Sequence, residues 1–253
     1  MGDGQRIGCA RRRRGGQGSE LGARVQAAVI VFPGSNCDRD VEMALAVAIG
    51  RAPRMIWHGE TDLPPLDLIV LPGGFAYGDY LRAGAMAAHS PIMRAVVARA
   101  RAGTPVLAIC NGFQIAVEAG LLPGALLPNA GLNFVCRDVH LRVEVADSIF
   151  TRGYAQGHVI RIPVAHHEGN FYIDDAGLAA LRDEDRIVFR YCAADGSATH
   201  EANPNGSRDD IAGILDRDRA VLGLMPHPER LADPRLGGDD GKALFRSLIE
   251  ALA

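Results

Sequence analysis

The stretch 106–120, V-L-A-I-C-N-G-F-Q-I-A-V-E-A-G, sets tight limits on the fold of the chain that contains it. Its first four residues have the character of a fully buried strand. Cys110 follows with no spacer, then Asn111 and Gly112, then a segment that reads as helix up to Gly120. Such a strand-to-helix turn projects Cys110 from the carboxyl edge of a sheet and sets it at the amino end of a helix. Free backbone N–H groups and the helix dipole favour an anion there, and thiols in that setting ionise more readily. Gly112 fits the turn because a side chain would crowd the neighbouring strand. The arrangement is the cysteine counterpart of the serine nucleophile elbow. Many free cysteines are small core residues, so this stretch alone leaves a catalytic and a structural reading open.

The flanking sequence tells what sheet the turn belongs to. Residues 27–32 read as a buried strand, the Pro-Gly-Ser-Asn after it as a turn, and Asp38–Ile49 as an amphipathic helix stopped by Gly50. Strands follow at 55–58 and at 67–71, the latter running into Pro72-Gly73-Gly74, and a helix at 93–102 precedes the nucleophile strand. Strands alternating with helices argue for a parallel sheet covered on both faces, whose ligands bind at the carboxyl ends of the strands. Farther on the rhythm changes. Segments 133–145 and 158–164 read as strands with no helix between them, followed by strands at 187–192, 211–215 and 220–224 and a closing helix at 238–251. The expected architecture is α/β, a largely parallel open sheet with helices on both faces and an antiparallel extension, forming one domain over 25–253. Residues 1–24, with the run Arg11-Arg12-Arg13-Arg14 and little to bury, read as a disordered arm.

Bulk properties exclude several functions. A net charge of −3 gives no electrostatic case for nucleic acid or an anionic membrane. Five scattered cysteines with no C-x-x-C pair argue against a disulfide framework or a zinc ribbon and fit a reducing cytoplasm. No apolar run reaches the length of a membrane span.

A thiolate that attacks a carbonyl needs a proton handler and a group to orient it. Among the 8 histidines, His227 stands out because it follows an apolar strand in Gly223-Leu-Met-Pro-His-Pro-Glu229. Pro226 and Pro228 stiffen the segment and, on an extended chain, turn His227 and Glu229 the same way. An oxyanion needs preorganised donors; the Gly73-Gly74 turn can bring one inward, and the Asn111 N–H supplies another.

L-P-G-G-F, C-N-G-F-Q and H-P-E in this order resemble the class I (triad) glutamine amidotransferases, over nearly all of residues 27–251. F-P-G-S-N-C-D-R-D, G-G-F-A-Y-G-D-Y-L-R-A-G, A-H-H-E-G-N-F and G-L-M-P-H-P-E-R are similar to the small glutaminase subunits of a purine-biosynthetic synthase. The resemblance implies Cys110 as nucleophile, His227 as general acid/base and Glu229 as its orienting partner. It implies Gly73, Gly74 and Asn111 at the oxyanion and Gln114 on the L-glutamine substrate, with no metal. Ammonia would pass to a larger synthetase subunit, where ATP, with Mg, activates the formamide oxygen of formylglycinamide ribonucleotide. No cofactor is expected in this chain, which has no G-x-x-x-x-G-K-[ST] loop. Whether a third, small subunit bridges the two stays open. The small subunits start close to their first strand, so the expectation is that residues 1–24 are an upstream extension of the reading frame and that translation starts at Val25.

The other cysteines are assigned to structure, with Cys37 held in its turn and Cys136 and Cys192 in the core. His166 and His167, adjacent on an extended chain, diverge and suit a cleft or subunit contact better than a metal. Three alternatives remain: an amidotransferase subunit for a different acceptor, a stand-alone Cys hydrolase of the same fold, and a non-enzymatic regulatory subunit.

Overall fold

A computed structural model describes residues 25–253; the expectations about the arm fall outside those residues. Five strands form a parallel half-sheet. They are β1 (Ala27–Val31), β2 (Arg54–Trp57), β3 (Leu68–Leu71), β4 (Val106–Ile109) and β11 (Val221–Leu224). The antiparallel half consists of β6 (Val135–Val143), β7 (Val159–His166), β9 (Ile187–Cys192) and β10 (Ile211–Leu215). The nine run in the order β2-β1-β3-β4-β11-β10-β9-β6-β7. β11 therefore lies mid-sheet and joins the two halves.

The central parallel strands are apolar throughout; every residue of β3, β4 and β11 is buried, as expected of strands covered on both faces. The edge strand β2 begins with the exposed Arg54. Helices α1 (Asp38–Ile49) and α6 (Lys242–Leu252) pack together. Helix α4 (Asn111–Glu118) lies over β3, β4 and β11 beside the short α2 (Ala85–Ala88), and α3 (Pro91–Arg101) precedes β4. In the order 2-1-3-4 the chain reverses direction of travel between β1 and β3, the position at which open α/β sheets hold their ligands. The turns after β1, β3, β4 and β11 all open on that one edge.

The fold agrees with the expected class and adds elements that the sequence reading passed over. A two-stranded ladder pairs β5 (Ala125–Leu127) with β8 (Asn170–Tyr172). A helix, α5 (Asp175–Asp183), is capped by Asp174, whose carboxylate accepts from Gly177 N at 2.7 Å. The closing helix begins at Lys242, not Gly238, because Gly241 packs its α-carbon against the Pro228 carbonyl and the chain before it forms a separate turn.

Candidate active site

Cys110 directly follows β4 with φ 51° and ψ −108°, a conformation that costs a non-glycine residue on the order of 1–3 kcal/mol. Its surroundings enforce it. The Cys110 N–H donates to Leu224 O of β11 at 2.7 Å, and a Cβ on Gly112 would overlap the Leu71 carbonyl oxygen of β3. The thiol faces β7, with Sγ 3.8 Å from Ala165 O.

His227 follows β11, the strand next to β4, and its backbone N–H donates to Pro163 O of β7 at 2.8 Å. The ring is 1% exposed and its Nδ1 lies 2.6 Å from Glu229 Oε1. An extended chain is not what pairs them: Pro228–Leu231 is a 3-10 turn, which brings Glu229 back under the ring. Burial works against protonating His227, but the Glu229 carboxylate and then the Cys110 and Cys37 sulfurs outweigh it and raise its pKa well above 6.5. Among the described residues, His227 Nε2 and Glu229 Oε2 are buried without a hydrogen-bond partner. An orphaned ring nitrogen at a reactive edge is what a proton-transferring histidine leaves for its substrate.

Gly73 and Gly74 close the opposite wall. A Cβ on Gly73 would stand 2.7 Å from His227 Cε1, and one on Gly74, at φ 139°, 2.7 Å from Asn36 N. Among the described residues, neither the Gly74 nor the Asn111 N–H is taken up in a turn. The Asn111 side chain accepts from Ala76 N at 3.1 Å and donates to Gln114 Oε1 at 2.8 Å and Asp79 Oδ1 at 3.2 Å, tying the nucleophile turn to the glycine loop. Gln114 is engaged on both sides, since its Nε2 donates to Glu168 O at 2.6 Å. A cleft of about 210 Å³ opens among Cys37, Gly74, Cys136, Ala165, His227 and Arg230.

One structural assignment, that of Cys136 to the core, fails here. Cys37 is part of the site: its Sγ lies within 4.8 Å of donor atoms on His227 and Glu229 and accepts from Arg230 Nη2 at 3.1 Å. Cys136 is exposed and rims the cleft. Cys192 is buried as expected. The Cys37, His227 and Glu229 donors are close enough for a soft cation, yet the 2.6 Å His227–Glu229 bond and the adjacent Arg230 guanidinium favour a proton-transfer pair. His166 and His167 diverge as expected. His166 is buried with Nδ1 3.1 Å from Asn129 Oδ1, and burial first, then the charge of His227, pushes its pKa down to about 4; His167 is exposed. The sequence reading also missed Asp79. Burial and then the Glu168 carboxylate raise its pKa to about 6; G-D-Y after a glycine loop was the available signal.

A strained cysteine elbow, a buried His–Glu pair and a glycine loop at one sheet edge define a glutamine amidotransferase. A family model described as the CobB/CobQ-like glutamine amidotransferase domain matches residues 24–236, and the chain belongs to that family. The phosphoribosylformylglycinamidine synthase subunit PurQ of Rhodospirillum rubrum is 60% identical over 230 residues, 90% of this chain and 100% of that protein. Its counterpart in Ruegeria pomeroyi is 57% identical, covering 90% of this chain and 99% of its own. A chain in the structure of PurLQS from Thermotoga maritima superposes with a TM-score of 0.80 at 43% identity, covering 90% of this chain and 99% of that one. The glutaminase domain of Trypanosoma brucei CTPS, at 15% identity and a TM-score of 0.56, covers 90% of this chain and 93% of its own and shares the fold.

Proposed function

We infer that this chain is the glutaminase subunit of a phosphoribosylformylglycinamidine synthase: it hydrolyses L-glutamine and delivers the ammonia to a larger synthetase subunit. The carrying observation is the buried His227–Glu229 pair beside Cys110, within a chain whose relatives bear that subunit's name over their whole length.

Each residue then has a step. The Cys110 thiolate attacks the side-chain amide of glutamine, and the Gly74 and Asn111 N–H groups receive the oxyanion, Gly73 leaving room for the imidazole. Protonated His227 gives its Nε2 proton to the departing ammonia, while Glu229 holds Nδ1 and so fixes the tautomer. Water, deprotonated by the now neutral His227, hydrolyses the glutamyl thioester. Gln114 contacts the substrate once one of its present hydrogen bonds is exchanged. ATP and Mg belong to the synthetase subunit, which uses the ammonia to convert formylglycinamide ribonucleotide to formylglycinamidine ribonucleotide. A cytoplasmic location completes the reading; no helix among the described residues is long and apolar enough to cross a membrane.

The synthetase subunit docks, on this reading, over the carboxyl edge near 77–82 and 165–171. Tyr80 and Leu81 are 73% and 94% exposed, and Tyr77, Asp79 and Leu81 all have positive φ. A partner that resets this loop would move the Gly74 donor, and one oxyanion donor is worth about 10²–10³ in kcat. The isolated chain should therefore be a weak glutaminase, rising at least about tenfold in the complex.

The deciding experiment is Cys110→Ala in the reconstituted complex. Glutamine-dependent synthesis should vanish while synthesis from free ammonia persists. Equal loss of both would overturn the assignment, and full glutaminase turnover by the lone wild-type chain would point to a stand-alone hydrolase.

A further inference from the structure

The proposed reaction uses one thiol, yet a second buried thiol faces the same imidazole. Cys37 is 2% exposed, sits at the N-cap of α1 and lines the cleft that His227 also lines. Gly73 brings the two together. A Cβ at that position would lie 3.2 Å from Cys37 Sγ, 3.4 Å from Cys110 Cβ and 2.7 Å from His227 Cε1. Its hydrogen thus forms a shared wall, and both cysteines border the space where a side chain would stand.

The surroundings of Cys37 suit an attacking sulfur more than a packing residue. Arg230 Nη2 donates to Cys37 Sγ at 3.1 Å, so a cation meets the charge that develops there, and the thiol itself points to Asn36 Oδ1 at 3.3 Å. The backbone around it has room to adjust. Its N–H makes only a long 3.4 Å bond to Gly73 O, and its φ of −108° and ψ of 5° carry no strain. A third thiol, Cys136, rims the cleft, but it is exposed and fixed on β6 opposite Ala165.

We propose that Cys37 is the resolving thiol of an oxidation site: a hydroperoxide oxidises Cys110, and Cys37 then closes a Cys37–Cys110 disulfide that silences and preserves the nucleophile. The inference rests on Cys110 being the ionised nucleophile of the preceding section. In the first step the Cys110 thiolate attacks the terminal peroxide oxygen. An S–O bond forms, the O–O bond breaks, and the alcohol or water leaves with a proton supplied by His227. In the second, Cys37 sulfur attacks the Cys110 sulfenic acid. The S–S bond forms, the S–O bond breaks, and hydroxide leaves as water with the Cys37 proton. Two thiols are oxidised by two electrons and one peroxide is reduced. A dithiol reverses the change, whereas a sulfenic acid without a resolving neighbour is oxidised by a second peroxide to the irreversible sulfinic acid.

The full chain is treated with an excess of hydrogen peroxide over protein, digested without reduction and mapped by mass spectrometry. The expected product is a peptide pair linked through Cys37 and Cys110, with activity restored by dithiothreitol. Cys37→Ser should instead gain two oxygens at Cys110 and stay inactive after reduction, while Cys136→Ser should follow the wild type. A Cys110–Cys136 link, over-oxidation of wild-type Cys110, or full recovery of Cys37→Ser would each overturn the proposal. The wild-type map decides even if the variant misfolds. Labelling with a glutamine-analogue electrophile before oxidation tests the separate premise: no label on wild-type Cys110 would sink the nucleophile reading and not the thiol pairing.

Discussion

Two strand-to-helix turns on one sheet edge each end in a cysteine at a helix amino terminus, and they are built differently. The turn after β4 has no spacer, and Cys110 takes φ 51° under pressure from Leu71 and Leu224. The turn after β1 spends residues 32–36 on the reversal, and Cys37 reaches α1 in a relaxed conformation. Both thiols are buried and both raise the basicity of His227. Backbone strain, over-determined by the neighbouring strands, is what separates them. It places one sulfur where a substrate carbonyl must arrive and leaves the other free to move.

That contrast breaks most directly by substitution. Cys110→Ala should lower glutamine-dependent kcat/KM by about 10⁴-fold or more, and Cys37→Ala by less than about tenfold. Comparable losses in steady-state assays would mean that the second thiol takes part in the chemistry. Next in size is the strain itself. Gly112→Ala forces a methyl into the Leu71 carbonyl and should cost ~3 kcal/mol, read as a shifted urea midpoint. An unchanged midpoint would show that the elbow is softer than its packing indicates.

Glu229→Gln sharpens the comparison through His227. It removes the largest influence that raises the imidazole, so the alkaline limb of kcat/KM against pH should move to lower pH and the rate should fall by about 10²-fold. Cys37→Ala should move that limb the same way, by less. A limb that stays in place in Glu229→Gln would separate it from His227.

The smallest effect belongs to Asp79, in the loop that joins the two turns. Its carboxyl is pushed from 3.8 to about 6 by burial and by Glu168. The folded chain therefore binds more protons than the unfolded one between those values, and stability falls as pH rises through that window and remains lower above it. Asp79→Asn should stabilise by ~1 kcal/mol at pH above about 7, after allowance for solvent screening, and by nothing near pH 3. Thermal melts at the two pH values check it; equal gains at both would point to a cause other than charge.

How much of this was legible in the sequence follows from what each feature depends on. β4, α1, β9 and β10 were legible to the residue because apolar runs bounded by glycine, proline and capping positions are local signals. The pairing of His227 with Glu229 was legible as a spacing, though the 3-10 turn that achieves it was not. The closeness of Cys37 to His227 and Arg230 was not legible, because it is set by strand order, which is not written in any one segment. The position of Cys136 was within reach. Val139, Leu141 and Val143 carry the buried face of β6, so an even-numbered residue belongs to the other side. α5 was passed over because Gly177 interrupts a short helical pattern whose only firm signal is its Asp174 cap.

The placement of β11 has a consequence for how the molecule comes into being. This strand leaves the ribosome after the eight others of its sheet, yet it fills the middle of that sheet, between β4 and β10, and delivers His227. Until it inserts, the nascent chain holds a nucleophile with no base, an elbow without its Leu224 clamp and two half-sheets without a seam. Synthesis order thus leaves Cys110 without its base until β11 is in place, and the insertion that joins the two half-sheets also brings Cys110, His227 and Glu229 together.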